Sequence, residues 1–301
     1  MITDKQREAR MKSLGSSDAP VILGVDPFRT PYDLWLQKTS RVPQTKENDA
    51  MRLGSVLEIP LLQLAGERIG ARVVRPSSAF VGCYPYLKAN IDGMVGEAKR
   101  GSDIVEVKTT SSTEGWGTEG TDQVPDRVRV QVAFQMSCAS ANLAHIACLT
   151  GAFGLQFKMY RIPYDADFCG YVMERCDAWW RKHIEGGEPP PERGTLDLLK
   201  QVRRTDEAVN LDPALFEEER RLASALADAE KAHEAAKARL VTALGSARRG
   251  FGGQHSISVI EVETDRFDRK AFEAEHADLA RQYVVPSSYS RIDIRTKKEK
   301  P

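Results

Sequence analysis

The sequence predicts an α/β fold for roughly its first 190 residues, on three observations. Apolar periodicity switches repeatedly between the helical and the strand pattern along this region. Two strand-like runs, YLKANIDGMV (86–95) and DIVEVKTT (103–110), are joined by the short link GEAKRGS (96–102), which favours an antiparallel hairpin. A breaker cluster, EGGEPPPERG (185–194), then marks a boundary, so domains are expected over 1–190 and 191–301.

Taken in order, GSSDAPVILG (15–24) reads as a helix start, with Ser16, Ser17 or Asp18 as the cap and Pro20 in the first turn. RTPYDLWLQKT (29–39) reads as a second helix and MRLGSVLEIPLLQLAGERIG (51–70) as a third. The hairpin follows, then a polar loop around Trp116 and Pro125, then a helix over about 126–140. LAHIACLTG (143–151) and LQFKMYRIP (155–163) read as strands, and a helix ending in DAWWRKHI (177–184) closes the region. Trp35, Trp179 and Trp180 fall at helical apolar spacing and are expected in the core. Beyond the boundary, Leu215, Leu222, Leu226, Ala229, Ala236, Leu240 and Leu244 define one long amphipathic helix over about 205–245, ended by Gly245 and RRGFGG (248–253). HSISVIEVE (255–263) and SYSRIDIR (289–295) alternate like strands and flank a helix over about 269–282 that Asp268 caps.

Composition narrows the function classes. Among 301 residues, 43 Lys and Arg balance 43 Asp and Glu. A formal charge of zero argues against broad electrostatic adhesion to nucleic acid and leaves room for a local basic groove. No apolar stretch approaches the roughly 20 residues of a membrane helix, and MITDKQREARMK lacks a signal-peptide core, so a cytoplasmic protein is expected. The five cysteines (83, 138, 148, 169, 176) form no CxxC pair and the five histidines are scattered. Neither a disulfide framework nor a zinc site is indicated.

The chemistry is concentrated in DIVEVKTT. Ile104, Val105 and Val107 suit a buried strand, yet Glu106 and Lys108 lie two residues apart and therefore on one face. Alone, such a pair is most often a salt bridge on an exposed strand. In the hairpin, however, Asp92 falls beside Glu106, and two converging carboxylates make a hard oxygen site suited to Mg²⁺ or Mn²⁺. Lys108 is then placed to hold a water or stabilise a phosphoryl transition state, and Glu58 to add a third carboxylate. Upstream, Ser16, Ser17 and the amides of the following helix read either as a plain cap or as a cradle for a terminal phosphate, with Arg29 as a further backbone contact.

The order Glu58, Asp92, Glu106-Val107-Lys108 resembles the PD-(D/E)xK nuclease superfamily. More specifically, the chain is similar to the YqaJ-like viral recombinase family, to which phage lambda exonuclease is related. The resemblance runs through GSSDAPVILGVDPFRTPYDLWLQKT, RLGSVLEIPLLQLAGERIG, ANIDGMV, IVEVKTT and VPDRVRVQVAFQM and covers residues 10–185. It implies a restriction-endonuclease-like core, a mixed central β-sheet flanked by helices, with a C-terminal long helix and a small two-strand extension. It implies metal ligation by Asp92, Glu106 and the Val107 carbonyl, assistance from Glu58, a water-orienting Lys108 and an organising Gln131. Arg10 would join Ser16 and Ser17 at a DNA 5′-phosphate. Ile91 stands where the superfamily name places proline, a position that varies in the superfamily.

The function so implied is a Mg²⁺- or Mn²⁺-dependent 5′→3′ exonuclease on double-stranded DNA ends. It would act in the cytoplasm of a bacterium or phage-infected cell and leave 3′ single strands for phage-type recombination. A single-strand annealing protein is the expected partner. A homo-oligomer is expected too, a trimer being one form because relatives form rings. Two other readings stay open: a site- or structure-specific endonuclease on the same fold, which would need a base-reading insertion, and a catalytically inactive DNA-end-binding scaffold. An iron–sulfur relative is disfavoured by the cysteine spacing.

Overall fold

Val105, with Ile104 before it, is fully buried because its strand is the middle of a sheet covered on both faces. The computed structural model describes residues 10–42, 48–151, 154–202, 204–285, 292 and 294. Chain order begins with Leu14, whose N–H donates to Tyr86 O and whose carbonyl accepts from Lys88 N. Helix α1 (Ala19–Ile22) follows, then α2 (Pro31–Lys38) and α3 (Asp49–Ile69). Proline at its first position and a Thr30/Asp33 capping box start α2. Asn48 caps α3, which ends at Gly70 with φ +75, a left-handed conformation that favours glycine.

The strands are β1 (Val73–Val74), β2 (Phe80–Val81), β3 (Lys88–Ala89), β4 (Gly93–Val95) and β5 (Ile104–Thr110), then, after α4 (Asp126–Ala139), β6 (Leu143–Thr150) and β7 (Gln156–Pro163). They form a five-stranded sheet of order β1-β4-β5-β6-β7 and a small β2-β3 ribbon. Only β5 and β6 pair in parallel within the sheet, so it is mixed. A parallel pair needs a crossover, which α4 supplies. Helix α5 (Ala166–Trp179) runs into a π-helical turn (Trp180–Glu185), and α6 (Leu196–Leu199) follows.

The period of two along β5 sorts its residues between two layers. Ile104 joins the large cluster containing Val128, Phe134, Ile146 and Trp179 from α4, β6 and α5. Val105 joins Leu62 and Ala65 of α3 with Ala147 on the opposite face, and Val107 packs against that cluster. Glu106 and Lys108 therefore project toward α4. Trp35, Trp179 and Trp180 are buried as expected.

The structure departs from the expected elements in physical ways. The run 86–95 is not one strand: β3 pairs with β2, β4 pairs with β5, and Asn90–Asp92 between them leave both ladders. At Gly93 a Cβ would lie 2.5 Å from Val73 Cγ1 and 2.7 Å from Leu62 Cδ2, so only glycine lets β4 pass under α3. The helix expected over 15–24 shortens to α1, and the Asp18 side chain accepts from Gly15 N instead of capping it.

Two compact units divide the chain, one containing Met1–Arg204 and the other Thr205–Tyr289. The first reaches beyond the breaker cluster because Leu198, Leu199 and Val202 pack on the core and Thr195 N donates to Asp33 Oδ1 at 2.8 Å. The second unit holds α7 (Pro213–Leu244), capped by Asp212, with no buried side chain along it. The two-strand extension is present, but it pairs β8 (Arg249–Gly252) with β9 (His255–Ser258). The RRGFGG run, expected only to end the helix, supplies β8, since Gly253 at φ +59 permits a two-residue hairpin turn. Of the expected strand 289–295, only Ile292 and Ile294 lie among the described residues. Asp268 caps the next helix through Ala271 N, and that helix divides at His276 into α8 (Arg269–Glu275) and α9 (Ala277–Gln282). Among the described residues no helix is long and apolar enough to cross a membrane.

Candidate active site

The site forms where β5 passes between α3 and α4. Glu106 is only 3% exposed, and both of its carboxylate oxygens are held. Lys108 Nζ donates to Oε1 at 2.5 Å, Gln131 Nε2 donates to the same oxygen at 2.6 Å, and Gln135 Nε2 donates to Oε2 at 2.7 Å. Lys108 Nζ also donates to Gln131 Oε1 at 2.9 Å, closing a ring of three side chains. A buried carboxylate is tolerable only when satisfied in this way. All three contacts are N–H donors, so each meets a lone pair on a carboxylate oxygen.

Asp92 approaches from the segment between β3 and β4. Its Oδ2 accepts the Val107 N–H at 2.9 Å, so the carboxylate is fastened to the main chain of β5. Burial first, then the negative charge of Glu106, push the Asp92 carboxyl well above the usual carboxylate range. The Val107 N–H and Lys108 oppose this, and Glu58 adds to it. On the α3 side a cavity of about 220 Å³ is lined by Met51, Gly54, Ser55, Glu58, Asp92, Val107 and Thr109. Glu58 enters it from α3 with Oε1 paired to Arg75 Nη2 at 2.6 Å.

Glu106, Lys108, Gln131 and Asp92 are thus drawn together around one strand, and Glu58 shares a cavity with Asp92 and Val107. Among the described residues no three His, Cys, Asp or Glu side chains converge into a ready-made metal cage. The donors on offer are two carboxylates and a main-chain carbonyl. That set suits a hard cation that keeps several of its waters.

Sequence reasoning missed two participants. Gln135 lies one helical turn after Gln131, and this i, i+4 spacing on α4 was the signal that could have found it. Its Nε2 also donates to Asn90 O at 3.1 Å, while its Oε1 is buried without a partner. Arg75, beyond β1, gave no comparable signal, because its partner Glu58 is brought to it only by the fold.

The N-terminal candidates form a second cluster. Lys38 Nζ donates to Arg10 O at 2.8 Å and Ser13 O at 2.7 Å, and pairs with Asp18 Oδ2 at 2.7 Å. Burial works to raise the Asp18 carboxyl, but Lys38 and the Gly15 N–H outweigh it and hold the carboxyl below the usual range. Arg29 Nη2 donates to Ser17 O at 2.9 Å. Ser16 is buried, whereas Ser17 and Arg10 are exposed.

Comparison with known proteins bears on this arrangement. Residues 6–142, which hold Glu58, Asp92, Glu106, Lys108, Gln131 and Gln135, match the family described as the YqaJ-like viral recombinase domain. That match spans somewhat less than half of the chain, which over this segment is similar to the family. The uncharacterized protein YqaJ of Bacillus subtilis is 25% identical over 310 residues, which span 98% of this chain and 95% of that protein. The crystal structure of LHK-Exo in complex with dAMP gives a TM-score of 0.50 at 17% identity, covering 61% of this chain and 94% of that one. A structure described as an alkaline exonuclease (LHK-Exo) from Laribacter hongkongensis gives 0.49 at 16% identity with the same coverage. At such identity the likeness is one of fold, the helix-flanked mixed sheet being shared with LHK-Exo.

Proposed function

We propose that this protein is a divalent-cation-dependent nuclease that degrades duplex DNA 5′→3′ from 5′-phosphorylated ends, leaving 3′ single strands for phage-type recombination. The observation that carries the reading is the buried Glu106 carboxylate, held by Lys108, Gln131 and Gln135 beside the Asp92 carboxyl, which is fastened to Val107 N. The match to the YqaJ-like family and a fold shared with LHK-Exo support it. LHK-Exo is described with dAMP, a 5′-mononucleotide of the kind such a reaction releases.

Asp92, Glu106 and the Val107 carbonyl would hold Mg²⁺ or Mn²⁺, with Glu58 nearby. When bound, the cation supplies Lewis-acid stabilisation of phosphoryl charge and acidifies water. Asp92 is pinned through one oxygen by Val107 N, which leaves its other oxygen as a donor of fixed direction. Two Lys108 N–H bonds are taken by Glu106 and Gln131, so its third is available to a water or a phosphate oxygen. Gln131 fixes that ammonium by accepting from it while donating to Glu106. Arg10, Ser16 and Ser17 would receive the 5′-phosphate and so set the direction of attack. A single-strand annealing protein would be the downstream partner of a homo-oligomer, and a trimer is the assembly in which such an enzyme would stay on DNA despite zero net charge.

The test incubates the protein and Mg²⁺ with linear duplexes that differ in which end bears a 5′-phosphate, beside closed circular DNA. Preferential loss of nucleotides from the phosphorylated ends is the expected result. Cutting of the circle would point to an endonuclease, and binding without cleavage to a scaffold.

A further inference from the structure

Phe28 is 72% exposed, yet the loop that carries it is firmly fixed. Phe28 N and Arg29 N both donate to Asp26 Oδ1, at 2.8 and 3.0 Å, and Val25 N and Asp26 N both donate to Pro20 O. Arg29 fastens the loop to the Ser17 carbonyl and pairs with Asp26. A side chain on so constrained a backbone is presented to solvent by design of the loop rather than by fraying.

What faces this ring is equally informative. The Arg127 guanidinium lies 5.9 Å from the ring centroid. Arg127 belongs to the first turn of α4, one turn before Gln131, the residue that touches both Lys108 and Glu106. Phe28 is therefore tethered on one side to the Ser17 segment and meets the catalytic helix on the other. A second aromatic ring with an arginine over it is already occupied: Tyr84 stacks on Tyr86 and has Arg181 over its ring.

We propose that Phe28, backed by Arg127, is a stacking platform for the base of the terminal nucleotide at a DNA end. This subsite rests on the nuclease reading above and adds to it a residue that grips the base rather than the phosphate. Every base has a π face, so an aromatic platform accepts any sequence, as an end-processing enzyme requires. The guanidinium beside the ring adds a cation–π contact and a positive charge near the adjoining phosphates.

The test is an equilibrium titration of the full-length protein in EDTA, where no divalent cation supports cleavage. One duplex carries 2-aminopurine as its 5′-terminal base and a second carries it well inside. Binding should quench the terminal probe and leave the internal one nearly unchanged. Phe28→Ala should lose most of that quench and bind the end roughly ten-fold more weakly, while Phe28→Trp keeps both. Wild-type quenching by Phe28→Ala, or equal quenching of the two probes, would overturn the platform. Cleavage in Mg²⁺, measured on the same duplexes, separates the two readings. A protein that quenches the end without ever cleaving sinks the nuclease, and one that cleaves with quenching indifferent to Phe28 sinks only the platform.

Discussion

Glu106 is held by three N–H donors from two elements, and Gln135 contributes the one that serves Oε2 alone. Gln135→Met keeps the volume of this 1%-exposed side chain and removes the donor. We expect a ten- to hundred-fold loss of cleavage, the usual scale for a partner that orients a ligand, with a parallel loss of Mn²⁺ affinity by calorimetry. Unchanged Mn²⁺ affinity would reduce Gln135 to a packing residue. The Glu106–Lys108 pair was legible in the sequence because a period of two announces a shared face, and Asp92 because a short link announces a hairpin. Gln131 entered only through resemblance. Arg75 did not enter, because no local spacing connects it to Glu58. Asp92 also predicts a pH effect. Its carboxyl is raised by burial and by Glu106, so between the ordinary and the raised value the folded chain binds a proton that the unfolded chain releases. The unfolded state then binds fewer protons, and stability falls as pH rises. In EDTA the contribution should be complete below the ordinary aspartate range and vanish as pH passes the raised value; Asp92→Asn should flatten this slope. A wild-type melting profile with the same slope as Asp92→Asn would contradict the assignment.

At the scale of elements, α2 shows how a cap reaches beyond its own helix. Asp33 Oδ2 accepts from Thr30 N, and Oδ1 accepts from Thr195 N across 162 residues of sequence. Asp33→Ala should cost about 2 kcal/mol, the sum of a lost cap and a stranded amide, read as a lower urea midpoint at unchanged slope. A loss within about 0.5 kcal/mol, ordinary for a surface site, would show that the cross-link bears no load. The long periodic segments were read well: α3, α4, β6 and β7 fall within a few residues of expectation, and α7 ends as expected but starts at Pro213 rather than near 205. Segments that change partners were not. The run 86–95 alternates like one strand, but its two halves serve two sheets, and nothing in a pattern of side chains records which neighbour each half meets. The same holds for β8, whose glycines read as a helix stop while also permitting close strand pairing against Leu244.

For the whole molecule, equal numbers of acidic and basic residues mean that DNA affinity must come from local geometry rather than net charge. The cleft that would provide it is framed by α3, Asp92 and β5 within the first unit. Everything proposed about function therefore converges on Lys108, the one cation bonded to Glu106 among the described residues. The most direct measurement is Mg²⁺-dependent cleavage of a 5′-phosphorylated linear duplex by Lys108→Ala, with its thermal melting recorded alongside. A catalytic Lys108 predicts a loss of at least about 10²-fold in rate, the scale of a positioned proton-transfer or charge-stabilising group, in a protein that still melts cooperatively. Cleavage by folded Lys108→Ala at the wild-type rate would contradict it.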